Sequence, residues 1–159
     1  MAGPRRRSRE IALQILHQVD VSGDAATDVD VMLARYFEHL ATRTGPADEE
    51  DVYESANEPA SKIDRPLIEE IVRGVCCHRV QIDEQLTTLS RNWRLERMAL
   101  VDRNVIRIAL YELAHCPTVP VNVVLNEAVE LAKRYGTAEG AAFVNGLLDR
   151  ALTDLNLRR

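Results

Sequence analysis

The sequence predicts an all-α protein, and three observations carry that expectation. Apolar residues recur three and four apart over long stretches, while no segment alternates with period two for long enough to make a strand. Glycine and proline number only 7 and 6 and fall mostly between the periodic stretches, where they punctuate. Hydrophobic residues make up 46 % of 159, enough to bury a core without disulfides or metal. About seven helices in two groups are expected.

Ile11, Ile15, Leu16 and Val19 define a first helix from about Arg5 to Val21, with Arg5, Arg6 and Arg9 mainly on the other face. Ser22-Gly23-Asp24 ends it. Val31, Leu33, Ala34, Phe37 and Leu40 mark a second helix, from about Thr27 to Ala41. Residues 42–64 have almost no apolar periodicity, contain Gly45-Pro46 and Pro59, and read as a mobile acidic loop. Asp64 before Pro66 starts the next helix, since proline is tolerated where backbone donors lack partners anyway. Its stripe (Leu67, Ile68, Ile71, Val72, Val75, Ile82, Leu86, Leu89) predicts one long helix over about 65–89. Gly74 inside it suggests close approach by another backbone.

Residues 93–98 fit a short helix carrying the only Trp. From Leu100 to His115 apolar residues lie nearly all round, the pattern of a central buried helix. Pro117 and Pro120 bracket a turn. Val121 to Tyr135 forms the next stripe and Gly136 stops it. Thr137 can cap a last helix built on Phe143, Val144, Leu147, Leu148, Ala151, Leu152 and Leu155.

Charge is unevenly spread. The chain carries a net −5, but residues 44–70 hold nine acids against two bases, a local −7 that leaves +2 elsewhere. The first ten residues contain Arg5, Arg6, Arg7 and Arg9 against Glu10. Total charge argues against a nucleic-acid partner; its distribution leaves one open. No apolar run approaches the roughly 18 to 20 residues of a membrane span. The Arg-rich start lacks the apolar stretch of a secretion signal, and three cysteines, two of them adjacent, suit a reducing compartment. A cytoplasmic protein without membrane contact is expected.

No catalytic arrangement emerges. Cys76-Cys77-His78 invites a metal or nucleophile reading, but adjacent helix positions point about 100° apart and cannot close on one ion. His115-Cys116 adds no CxxC or HxxxH spacing. Small residues at a helix–helix contact are the plainer explanation. Asp83, Glu84, Asp102, Glu112, Glu127, Glu130 and Asp149 include no pair with an acid/base rationale, and no GxGxxG, GxxxxGK[ST] or GxSxG occurs. The arginines are the better signal, because guanidinium matches phosphate in a two-pronged geometry and stacks on bases. A solvating tail is the plain alternative, and a basic helix within a packed domain favours a structured RNA or DNA groove.

The chain also resembles the bacterial transcription antitermination factor NusB family. The resemblance rests on RRRSREIALQILHQVD at 5–20, IVRGVCCHRVQIDEQL at 71–86, DRNVIRIALYEL at 102–113, VPVNVVLNEAVELAKRYG at 119–136 and FVNGLLD at 143–149. It implies one domain over 1–159 made of two subdomains, each around three helices. These would be about 5–90, with the acidic loop, and about 91–159. It implies no catalysis, no cofactor and no metal. Such proteins bind single-stranded boxA RNA of ribosomal RNA leaders with NusE, a small-subunit ribosomal protein. The pair joins RNA polymerase and other Nus factors and makes elongation resistant to termination.

Position by position, Arg5, Arg6, Arg7 and Arg9 match the family's principal RNA-contacting segment, and Arg107, Lys133, Tyr135 and Phe143 match further positions near RNA. Tyr135 and Phe143 also lie on apolar stripes, so packing is open for both. His17, Glu96, Arg97 and Asp102 resemble the NusE-facing surface. Three departures remove contacts: His17 replaces an aromatic, Ala142 a lysine, and Ser90 an aromatic. The acidic stretch is longer than usual and is expected to compete for the arginines. The alternative is a helical interaction adaptor that self-associates, a homodimer covering the basic helix. A methyltransferase-associated module lacks support, since these residues include no glycine-rich cofactor segment.

Overall fold

A computed structural model of the chain describes residues 3–22, 28–42, 63–91 and 93–156. Among them are seven α-helices and one 3-10 turn, and no strand. The expected acidic loop falls almost wholly outside the described residues. The chain groups into two compact units, residues 1–69 and 70–159.

In the first unit, α1 (Pro4–Ser22) opens on a proline whose missing N–H would have no partner there anyway. It buries Ile11, Ala12, Ile15 and Leu16 to 1 % exposure or less. α2 (Val29–Thr42) is capped by Asp28, whose carboxylate accepts the Asp30 N–H at 2.9 Å, and packs on α1 through Leu33 and Phe37. Asp64 caps α3 (Arg65–Cys77) by accepting the Leu67 N–H at 3.1 Å, as the sequence predicted. Ser8 ties the two helix starts together: its hydroxyl donates to the Pro4 carbonyl (2.8 Å) and accepts the Asp64 N–H (2.8 Å).

The predicted long helix over 65–89 is two. α3 ends at Cys77, His78 takes φ −99° and ψ 17°, and α4 runs Arg79–Leu89. One residue out of helical geometry leaves the apolar stripe intact, so periodicity alone does not register the break. Gly74 is needed for a close approach, but by the Tyr111 ring rather than a backbone: a Cβ there would overlap the ring.

The second unit is built on α5 (Leu100–His115), which packs on α4, on α6 (Val121–Tyr135) and on α7 (Gly140–Asp154). Val105, Ile106, Leu110, Val124, Leu131, Ala132, Val144, Leu147 and Leu148 are almost completely enclosed. The predicted central buried helix has its predicted bounds. A 3-10 turn, Leu95–Arg97, flanked by extended Arg94 and Met98, stands where a short helix over 93–98 was expected.

Thr137 does not cap α7. Its hydroxyl donates to Asp102 Oδ2 at 3.1 Å, and the preceding turn closes through the Gly140 N–H on the Thr137 carbonyl at 3.0 Å. Gly136 follows α6 at φ −88°, which any residue adopts, so its smallness has another cause. A side chain there would strike the Asp102 carboxylate and the Ala132 carbonyl.

Candidate nucleic-acid interface

The first candidate surface is the start of α1. Arg5 is exposed and Arg6 partly so. The Arg7 side chain is 12 % exposed and its Nη1 lies 3.1 Å from Glu10 Oε2. The first turn contains no acid, so cations sit on the positive end of the helix dipole. That arrangement disfavours the helix and favours an anion in front of it. Availability falls along the strip, for Arg9 is only 2 % exposed. The apolar face of α1 turns inward from Ser8 onward and takes Arg9 with it.

Arg107 is enclosed more completely. It is 1 % exposed, its Nε donates to Asp83 Oδ1 (2.7 Å), its Nη2 to Asp83 Oδ2 (3.0 Å) and its Nη1 to Asn104 Oδ1 (2.9 Å). A guanidinium held two-pronged by a carboxylate inside a helical core acts as a packing element of the fold. Lys133 is 61 % exposed, with Glu130 Oε1 3.6 Å from its ammonium. Tyr135 is half-buried, with the Arg134 guanidinium 5.7 Å from its ring centre.

Phe143 is half-buried and belongs to a second candidate surface that sequence reasoning did not assemble. Its ring meets Trp93 edge-on, centroids 6.2 Å apart. The two rings border a cleft of about 420 Å³, also lined by Arg97, Met98, Asp102, Thr137 and Glu139. The signals that could have found it were the single tryptophan and the arginines at 91, 94 and 97 around it.

Of the expected partner-facing residues, Glu96 and Arg97 are exposed and His17 is half-buried. Asp102 is only 5 % exposed. Its carboxylate is wedged against Gly136 and Gly140, both of which lack the Cβ that would collide with it. Ser90 is 2 % exposed, so its position offers no surface for the aromatic it replaces.

The Cys76-Cys77-His78 segment has unexpected neighbours. The His78 and His115 rings stack at 4.1 Å, and Tyr111 lies 5.1 Å from His115. Burial pushes the Tyr111 phenol up from its ordinary value, and Cys116, Glu70, Cys77 and Glu112 add to the shift. The Cys116 thiol points at Glu70 Oε1, 3.5 Å away. Among the described residues no three His, Cys, Asp or Glu side chains converge as metal ligands. No helix of the described residues is long and apolar enough to cross a membrane.

Comparison with known proteins agrees with this architecture. The NusB family model matches residues 6–153. A transcription antitermination protein NusB of Anaeromyxobacter dehalogenans is 43 % identical over 155 residues, covering 98 % of this chain and 94 % of that one. The protein of the same name from Myxococcus xanthus is 40 % identical over 157 residues, with 97 % and 98 % coverage. Among solved structures, NusB of T. maritima superposes with a TM-score of 0.73 at 32 % identity, covering 97 % and 94 %. A chain from a complex of antitermination factors NusB and NusE with dsRNA shares the fold, with a TM-score of 0.69 at 19 % identity and coverage of 94 % and 96 %. The chain therefore belongs to the NusB family of transcription antitermination proteins and is not an enzyme.

Proposed function

We propose that the chain is a cytoplasmic RNA-binding factor that recognises single-stranded boxA RNA of ribosomal RNA leaders together with NusE. The pair joins RNA polymerase and other Nus factors and keeps elongation processive. The observation that carries this reading is the cationic first turn of α1, which holds no acid, with Arg5 exposed and Arg6 partly so on a fixed helix. Three charges pre-arranged on one turn can meet successive phosphates without the ordering cost a tail would incur. A protein of the same fold has been observed with NusE and a double-stranded RNA, which supports the partner classes.

Roles divide accordingly. Arg5, Arg6, Arg7 and Lys133 contact phosphate; Arg9 and Arg107 hold the scaffold; Tyr135 and Phe143 present partly covered rings. Glu96, Arg97 and the half-buried His17 face NusE, and Asp102 supports the backbone around Gly136 and Gly140. The test is a gel shift on a boxA RNA and a scrambled control, with and without NusE. Retention of boxA that exceeds the control and rises with NusE is expected. Equal retention of both RNAs would reduce the reading to nonspecific binding. A dimer that RNA does not dissociate, and that never shifts boxA, would favour the self-associating adaptor.

A further inference from the structure

Trp93 is the single tryptophan of the chain and is 57 % exposed. An indole carries one of the largest apolar surfaces available to a core, so leaving it outside forgoes considerable stabilisation. Its backbone is nonetheless fixed. The Trp93 N–H donates to the Ser90 carbonyl at 2.6 Å, and the Ser90 hydroxyl donates back to the Trp93 carbonyl at 3.0 Å. Ser90 itself is buried, and Met98 anchors the far side of the turn. The ring is thus presented rather than merely left over.

What it presents is the wall of the 420 Å³ cleft, within the roughly 300–1,000 Å³ of small-ligand sites. Phe143 forms the adjoining wall at 63° to the indole. The polar lining sorts the parts of a ligand. Asp102 and Glu139 line the cleft, and their negative charge disfavours a phosphate inside it. Arg97 also lines it, and Arg91 and Arg94 are exposed on either side of Trp93 in the chain, which favours phosphate outside. A flat aromatic group entering ring-first, with a phosphate chain running past the opening, matches both halves of that pattern.

We propose that this cleft is a stacking subsite for one unpaired nucleobase of the bound RNA, with Trp93 as its platform, Phe143 as its side wall and the exposed Arg91 and Arg94 at the adjoining phosphates. The proposal rests on the RNA-binding reading above and adds to it a binding residue, Trp93. Base–aromatic stacking tolerates any base, so this subsite contributes affinity and strand-state selectivity: a paired base cannot enter.

Because Trp93 is the sole indole of the chain, the chain's own tryptophan fluorescence, read against NusE alone, reports on this cleft. Titration of the full chain, with NusE present, by a boxA oligonucleotide should quench it in step with retention on a gel. One abasic position in a series of singly abasic oligonucleotides should abolish most of the quench while the RNA stays bound. Trp93→Ala should weaken retention about 5- to 150-fold, the range for losing one stacked base, and Trp93→Tyr should recover most of it. Full retention with unchanged fluorescence and a wild-type-like Trp93→Ala would overturn the subsite and leave RNA binding standing. Fluorescence that responds to NusE but not to RNA would assign the cleft to a protein partner instead, and overturn it too. No retention of any RNA with NusE present would overturn the underlying reading, and the subsite with it.

Discussion

Arg107 shows how far one residue can depart from what its type suggests. A cation at a position matching an RNA-adjacent site of the family reads as a phosphate contact, yet it is enclosed and bound by an acid 24 residues earlier in the chain. No helical spacing rule relates residues 83 and 107, so the pair is invisible until the helices pack. Asp83→Ala would strand the guanidinium in the core and should cost about 3–5 kcal/mol in chemical denaturation, the range for breaking a buried ion pair. Arg79, 3.5 Å from the same carboxylate, is itself a cation with donors only, so it cannot replace the lost acceptor. Tyr111 makes the second prediction at this scale. Its phenol is raised above the ordinary 10.0, so the fold disfavours the phenolate more than the unfolded chain does. The stability this supplies is complete below pH 10 and is lost as pH climbs through the raised folded value. Absorbance at 295 nm should show the Tyr111 phenol titrating above pH 10. Tyr111→Phe should remove that step and soften the fall in melting temperature above pH 10.

One helix start was legible where an acid precedes a periodic stripe, whereas the cap that Asp28 supplies to α2 was passed over for a start near Thr27. Asp64 was read correctly because an N-cap needs only a short acceptor at the right place, a property of three or four consecutive residues. Asp64→Ala should cost about 1 kcal/mol in thermal or denaturant unfolding. The bounds of α5 and α6 were equally readable, since dense stripes are punctuated by Pro117, Pro120 and Gly136. The division at His78 was not, because no proline or glycine marks it; the ring of that residue instead stacks on His115, 37 positions away. Gly74 was noticed but its neighbour was not, and the identity of a neighbour is a tertiary fact. Gly74→Ala should destabilise by about 1–3 kcal/mol, as overpacking does, with the Tyr111 ring forced to move.

For the molecule as a whole, the all-α class and the basic surface follow from periodicity and charge distribution. Which cations reach solvent does not, since it depends on how α1 is covered. With Arg9 enclosed, three arginines remain for phosphate. The log–log salt dependence they contribute should then have a slope near −2.1, at about −0.7 per phosphate on single strands. Replacing Arg5 and Arg6 by Ala should flatten the measured slope by about 1.4. An unchanged slope would place the strand elsewhere.

The wedge formed by Asp102 reaches beyond stability. Its carboxylate fills the volume that a methyl on residue 140 would need. Serine or alanine can therefore settle at that site only in a lineage whose residue 102 has already shortened or swung aside. The two positions are expected to drift through evolution as a linked pair, each substitution permissive for the other and harmful in the reverse order.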